Sequence, residues 1–224
     1  MRLSRNRIRA RVNHDLPIRF SEESLSAHGG LELFRRYLVA IDLPARLRRA
    51  LGDAGDYGAV RMVLLVVGLL LAGGRRLAHL AVLSHDPIFL RFAGVHRLPA
   101  DRTVARWMAG AAQTVIEAVA SVVRDVAHEA IDSLGLARLT LDLDGTVLRV
   151  CGSAEGAERG FNPHHPKDRS YYPLTAHLAQ TGHLLRSWNR PGNVHDSHNA
   201  DGFRRTVLAD LRARFGNRQR LEVR

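Results

Sequence analysis

Two aspartates standing two residues apart, Asp142 and Asp144, are the side chains of this sequence best placed for chemistry. Leu139, Leu141 and Leu143 alternate with them, and this two-residue period predicts a β-strand with one apolar and one polar face. Both carboxylates then project from the polar face, where they repel each other unless a positive charge lies close by. A divalent cation such as Mg²⁺ is one solution, because hard cations bind carboxylate oxygens and assist phosphoryl chemistry. An ordinary strand with a solvated polar face is the alternative, although Asp is uncommon in strands.

The charge of the chain indicates a polyanionic partner. The 33 Lys and Arg residues exceed the 22 Asp and Glu residues, which gives a net charge of +11, and Lys167 is the single lysine. The planar guanidinium of arginine suits phosphate oxygens. Nucleic acid is therefore the first expected partner and an acidic membrane surface the second. A codon bias explains the choice of Arg over Lys but not the excess of bases over acids.

A segment rich in Gly, Pro and His, residues 151–170, is predicted to be a loop that carries further binding groups. It contains Arg159, Lys167 and Arg169, and two tyrosines follow it. Such mixtures of basic and aromatic side chains hold phosphates and stack on bases, so these three residues are predicted DNA contacts. A solvated loop is the alternative. The 12 histidines offer no recognised zinc-ligand spacing.

The elements that would position these groups fall into two regions. Residues 1–136 are predicted to be mostly helical, and residues 137–224 carry the order β-β-β-α-β, so the fold class is α+β or α/β. An apolar stripe at residues 115–130 predicts either core or the face of a homodimer. The apolar segment 60–72 is too short to span a bilayer, which needs about 20 residues, and is predicted to be a core helix.

Cys151 is the only cysteine, which suits the reducing cytoplasm.

Several motifs follow one another in an order that resembles the DDE domain of bacterial insertion-sequence transposases, DDE domain group 1. In chain order they are Asp142-Leu143-Asp144-Gly145-Thr146, Gly156 to Gly160, Phe161-Asn162-Pro163, Ser170-Tyr171-Tyr172-Pro173-Leu174, Gly182 and Arg190-Pro191-Gly192-Asn193. Each motif alone is unspecific, and together they are specific. The resemblance covers mainly residues 139–224, and the segment around Leu98-Pro99 resembles the family's helical region less closely.

The resemblance implies an RNase H-like sheet and a metal-dependent enzyme that hydrolyses phosphodiesters and joins DNA strands. Asp144 is then the first choice for the catalytic metal ligand and Asp142 the second, with Mg²⁺ or Mn²⁺ as the cofactor. Arg190 lies beside the family's active site and is a further predicted DNA contact, with a tight turn as the alternative. The implied partner is double-stranded DNA, both transposon ends and target, and residues 1–136 would bind the DNA ends.

The family also has a second Asp after the fourth strand and a Glu on a later helix. Neither position exists in this sequence, where the fourth strand is predicted near residues 221–224. We therefore expect a truncated or frameshifted transposase reading frame, here residues 137–224 as a partial catalytic domain, without strand-transfer activity of its own. A non-catalytic DNA-binding remnant is the alternative.

Overall fold

A computed structural model describes residues 25–52, 55–150, 152, 154–160, 162 and 167–224. The predicted irregular segment at residues 1–20 lies outside these ranges. The helices are α1 (Gly30–Ala40), α2 (Leu43–Leu51), α3 (Ala59–Leu71), a 3-10 turn (Leu77–His79), α4 (Leu80–Leu83), α5 (Pro87–Ala93), α6 (Asp101–Ala109), α7 (Gln113–Ser133) and α8 (Ala200–Phe215). The strands are β1 (Arg138–Gly145), β2 (Leu148–Arg149), β3 (Glu158–Arg159), β4 (Arg169–Tyr171), β5 (Leu174–Leu178), β6 (Leu184–Trp188) and β7 (Arg220–Val223).

These elements form two compact units: residues 25–37 with 55–108, and residues 38–52 with the described residues of 109–224. Within the second unit, α7 contributes Ala127 and Ile131 to the core beneath the sheet. Whether residues 1–136 act as one functional region stays a prediction.

The first unit is built around the apolar helix α3, which is a core helix as predicted. Five of its large apolar side chains are buried, among them Leu65 and Leu69. Gly68 allows α3 and α5 to pack closely, since a Cβ atom there would lie 2.8 Å from the ring of Phe92. Asp86 begins α5 by accepting a hydrogen bond from the backbone N–H of Phe89 (2.8 Å), the usual way to satisfy a free donor at a helix start. No helix among the described residues is long and apolar enough to cross a bilayer.

The second unit contains a four-stranded sheet in the order β6-β5-β1-β7. β1 pairs antiparallel with β5, β5 pairs antiparallel with β6, and β1 pairs parallel with β7. The α+β fold and the order β-β-β-α-β of the main sheet are therefore confirmed.

Two helices cover one face of this sheet. α7 and α8 pack against the apolar side chains of β1, β5 and β6 to form a single core, which includes Leu141, Leu178, Leu211 and Phe215. Burial of this apolar surface is the main force that fixes which side of β1 faces inward. The opposite side of β1 is consequently the side on which its polar residues lie.

The segment predicted to be a loop, residues 151–170, contains strand at residues 158–159 and 169–170, and the prediction was wrong there. β2, β4 and β3 form a separate three-stranded antiparallel sheet in that order. Leu148 pairs with Tyr171, and Arg159 pairs with Arg169. These strands have two or three residues each, too few for an alternating pattern to be visible in the sequence.

Candidate metal and DNA site

β1 places the two aspartates on the face of the sheet opposite the core. Leu139 and Leu141 are each 1% exposed beneath the sheet, whereas Asp142 is half-buried and Asp144 exposed on the other face. Asp142 lies opposite His177 of β5, and Asp144 lies opposite Thr175. The carboxylates share a shallow concavity of about 420 Å³ with His177 and Arg224.

Arg224 neutralises Asp142. Its Nε donates to Oδ1 of Asp142 at 2.8 Å and its Nη2 donates to Oδ2 at 2.7 Å, a two-point ion pair. The backbone of Arg224 also extends the parallel pairing of β7, with its N–H 2.8 Å from the carbonyl oxygen of Leu141. The Asp142 carboxylate raises the pKa of Arg224 above its ordinary value. Both oxygens of Asp142 are thus occupied by a cation that the chain itself supplies.

Asp144 is the more exposed of the two aspartates. Thr175 donates a hydrogen bond to the backbone carbonyl of Asp144 (3.1 Å), and the residue is exposed. Mg²⁺ in proteins commonly uses one or two carboxylates, keeps several waters and takes further oxygens from substrate phosphates. Asp144, with Asp142 once Arg224 releases it, fits such an ion. The described residues contain no cluster of three or more acidic, His or Cys side chains able to hold a metal.

Tyr172 packs against the end of β1 that carries Asp144. A Cβ atom on Gly145 would lie 2.8 Å from Cζ and Oη of Tyr172, so only glycine permits this approach. The phenol of Tyr172 donates a short hydrogen bond to the Asp196 carboxylate. This bond, with burial and the charge of Asp196, raises the pKa of Tyr172 to about 12. The phenol therefore stays protonated and holds the segment around Asp196 beside the carboxylates.

Arg190 also holds the segment around Asp196 in place. Its side chain is 1% exposed, and it donates to three backbone carbonyls, those of Tyr172 (3.0 Å), Asp196 (3.2 Å) and His198 (3.0 Å). The guanidinium also lies 5.2 Å from the ring centre of Tyr172. A DNA contact by Arg190 stays a prediction, and it would require this buried group to be uncovered.

The other three predicted DNA contacts come together at the small sheet. Arg159, Lys167 and Arg169 are all exposed and line one concavity of about 370 Å³ together with Arg149. The pairing of β3 with β4 accounts for two of them, since Arg159 and Arg169 are directly opposite each other.

Sequence reasoning did not assign four residues to these sites: His177, Arg224, Arg149 and Asp196. His177 carried a usable signal, because it alternates with Ala176 and Leu178 on a predicted strand. Arg224 carried none, because its position beside Asp142 depends on a parallel pairing between segments some 80 residues apart in the sequence.

Comparison with curated proteins finds no match. A comparison with protein families finds that the family described as Transposase DDE domain group 1 matches residues 9–223. The match spans both the helical region and the sheet, whereas the motifs quoted above lie mainly in the sheet. Because it covers nearly the whole sequence, the chain belongs to the transposase DDE domain group 1 family.

Proposed function

We propose that this transposase-family chain binds double-stranded DNA and presents Asp144, assisted by Asp142, as carboxylate ligands for Mg²⁺ or Mn²⁺ beside a phosphodiester. The observation that carries this proposal is the pair of carboxylates on the open face of β1, with the opposite face packed on the core. Such an ion, when bound, activates the attacking oxygen and stabilises the leaving oxygen of a phosphodiester.

The protein groups around the carboxylates have separable tasks in this proposal. Asp144 holds the cation, and Asp142 joins it when Arg224 turns away. Tyr172 and Arg190 keep the Asp196 segment in place beside them. The arginine surplus neutralises DNA phosphates, with Arg159, Lys167 and Arg169 as contacts, and residues 1–136 recognise the DNA ends. We further propose that the chain works in the cytoplasm.

We expect the 224-residue chain alone to lack strand-transfer activity. Two-metal phosphoryl chemistry needs several convergent carboxylates. The described residues bring two carboxylates together on β1, and Arg224 is paired with one of them, Asp142. The same ion pair favours the second candidate function, a DNA-binding protein without catalysis.

Two assays on the purified chain test the proposal. The first titrates a labelled DNA duplex at increasing salt, and binding that weakens steeply with salt is expected because phosphate contacts release counterions. The second measures nicking and strand transfer with Mg²⁺ or Mn²⁺, for the natural chain and for Asp144→Asn.

DNA binding that survives Asp144→Asn, without strand transfer by either protein, is the expected result. Absence of DNA binding at low salt contradicts the proposed function. Efficient strand transfer by the natural chain contradicts the view that its carboxylate set is insufficient.

A further inference from the structure

His177 stands on the open face of the sheet, next to the two aspartates of β1. Its neighbours along β5, Ala176 and Leu178, are both 0% exposed in the core, so the half-buried imidazole between them points to the opposite face. It lines the same shallow concavity of about 420 Å³ as both aspartates. The concavity therefore contains an imidazole nitrogen besides its carboxylate oxygens.

The strand register sets how far this imidazole lies from each carboxylate. His177 is the direct antiparallel partner of Asp142, and it is diagonal to Asp144, which pairs with Thr175. Directly opposed residues have Cβ atoms about 4.5–5.5 Å apart, and diagonal neighbours are roughly 7–8 Å apart, a distance that an aromatic side chain can span. A single ion between β1 and β5 is thus within reach of His177 and of either aspartate.

Within the described part of the chain nothing holds the imidazole. His177 forms no hydrogen bond or ion pair there, and the two oxygens of Asp142 are held by Arg224 at 2.8 and 2.7 Å. On the side away from Asp142, a bulge in β6 places the apolar Leu184 opposite His177. Bulges are common beside active sites, where they re-aim a side chain. The imidazole is therefore not the counter-ion of Asp142, because Arg224 has that task.

The side chains of this face are not a finished three-ligand cluster. Among the described residues, no three acidic, His or Cys side chains form a group able to hold a metal. Since Arg224 holds Asp142, the first ligands of an ion here are one oxygen donor, Asp144, and one nitrogen donor, His177.

We propose that His177 is a further ligand of the ion at Asp144 and sets the metal preference of the site, away from Mg²⁺ and toward transition-metal ions. Mg²⁺ favours oxygen ligands, whereas imidazole nitrogen suits transition metals, whose affinities for a given site rise from Mn²⁺ to Co²⁺. This inference rests on the proposed metal site and adds to it a ligand and an order of preference, Co²⁺ before Mn²⁺ before Mg²⁺.

The first measurement compares the affinity of the full chain for these three ions. The variant is His177→Gln, which removes the ring nitrogens and retains an oxygen donor. The matched control is His183→Gln on the same hairpin, where the ring of His183 contacts the hydroxyl of Thr181 at 2.6 Å. Competition against bound Mn²⁺, followed by electron paramagnetic resonance, gives the affinities, and thermal unfolding of each variant checks that the fold persists.

His177→Gln should weaken Co²⁺ binding at least about tenfold, because even residues that only support a metal ligand contribute about 10–100-fold to affinity. Mn²⁺ binding should fall less, and Mg²⁺ binding by less than about twofold, because Mg²⁺ gains little from a nitrogen ligand. His183→Gln should match the natural chain. Equal losses for all three ions, or no loss for Co²⁺, overturn the inference.

A spectroscopic signature tests the ligand directly in the natural chain. Proton nuclear magnetic resonance of the chain with equimolar Co²⁺ should show a strongly shifted, solvent-exchangeable signal from the N–H of a metal-bound imidazole. The signal should be absent from His177→Gln and present in His183→Gln. Its absence from the natural chain, or its persistence in His177→Gln, overturns the inference whatever the affinities are.

Asp144→Asn separates this inference from the proposed function. Co²⁺ binding and the shifted signal should both be lost in this variant. If Mn²⁺ binding depends on Asp144 while His177→Gln leaves every affinity unchanged, the imidazole is not a ligand and the proposed function stands. Co²⁺ binding that is unchanged in Asp144→Asn overturns both.

Discussion

Adding one methyl group at Gly145 is expected to disturb the packing that holds the carboxylate site together. In Gly145→Ala the new Cβ atom would lie 2.8 Å from Cζ and from Oη of Tyr172, and 3.1 Å from Cε1. Carbon atoms in contact are ordinarily about 3.5–4.0 Å apart, so the overlap is roughly 1 Å. The backbone of Gly145 does not have a positive φ, so backbone strain does not add to the clash.

The ring of Tyr172 cannot move away without loss. It donates its hydrogen bond to Asp196 and lies against the buried guanidinium of Arg190. Overpacking of this kind costs about 1–3 kcal/mol of unfolding free energy. Urea denaturation of the natural chain and of Gly145→Ala measures that difference.

A double-mutant cycle with Tyr172→Leu identifies the cause. If the clash with the ring is responsible, Gly145→Ala should cost at most about 0.5 kcal/mol once residue 172 is Leu, because contacting residues are not additive. An equal cost in both backgrounds, or a cost near zero in the natural chain, would refute the reasoning from the Gly145–Tyr172 contact.

Three further predictions concern His128, Arg190 and Arg224. Burial lowers the pKa of His128 below its usual 6.5, so this side chain binds a proton more readily in the unfolded chain than in the folded one. The free energy of unfolding should therefore fall as the pH drops below about 6.5. Thermal unfolding of His128→Leu should lack this contribution to the pH dependence. Arg190→Lys should cost roughly 1–3 kcal/mol in urea denaturation, because an ammonium cannot reach three carbonyls as the planar fork does. Arg224→Gln should tighten Mn²⁺ binding about two- to fivefold, because it frees Asp142 from an exposed ion pair; unchanged affinity would show that Arg224 does not compete.

The larger part of the second unit was predictable because its long elements have clear periods. β1 alternates over eight residues, and α8 repeats buried side chains, Phe203, Val207 and Leu211, at helical spacing. The same-face arrangement of Asp142 and Asp144 followed from that alternation alone. Local patterns of this kind are determined by burial on one side.

The rest depended on contacts between distant segments. The small sheet is not apparent in the sequence because its strands have only two or three residues, too few for an alternating pattern to repeat. Arg190 precedes Pro191 and Gly192, which offered a tight turn as the alternative to a DNA contact. Its burial beside the isolated bridge between Tyr171 and Pro191 has no local signal. The pairing of Arg224 with Asp142 arises from the parallel alignment of β1 and β7, which no local pattern encodes.

The most direct test of the account is Mn²⁺ binding to the full chain, followed by electron paramagnetic resonance. The natural chain should bind the ion, Asp144→Asn should lose that binding, and Asp201→Asn, an exposed acid on α8, should keep it. Equal Mn²⁺ affinity in the natural chain and Asp144→Asn would contradict the claim that the open face of β1 is a metal site.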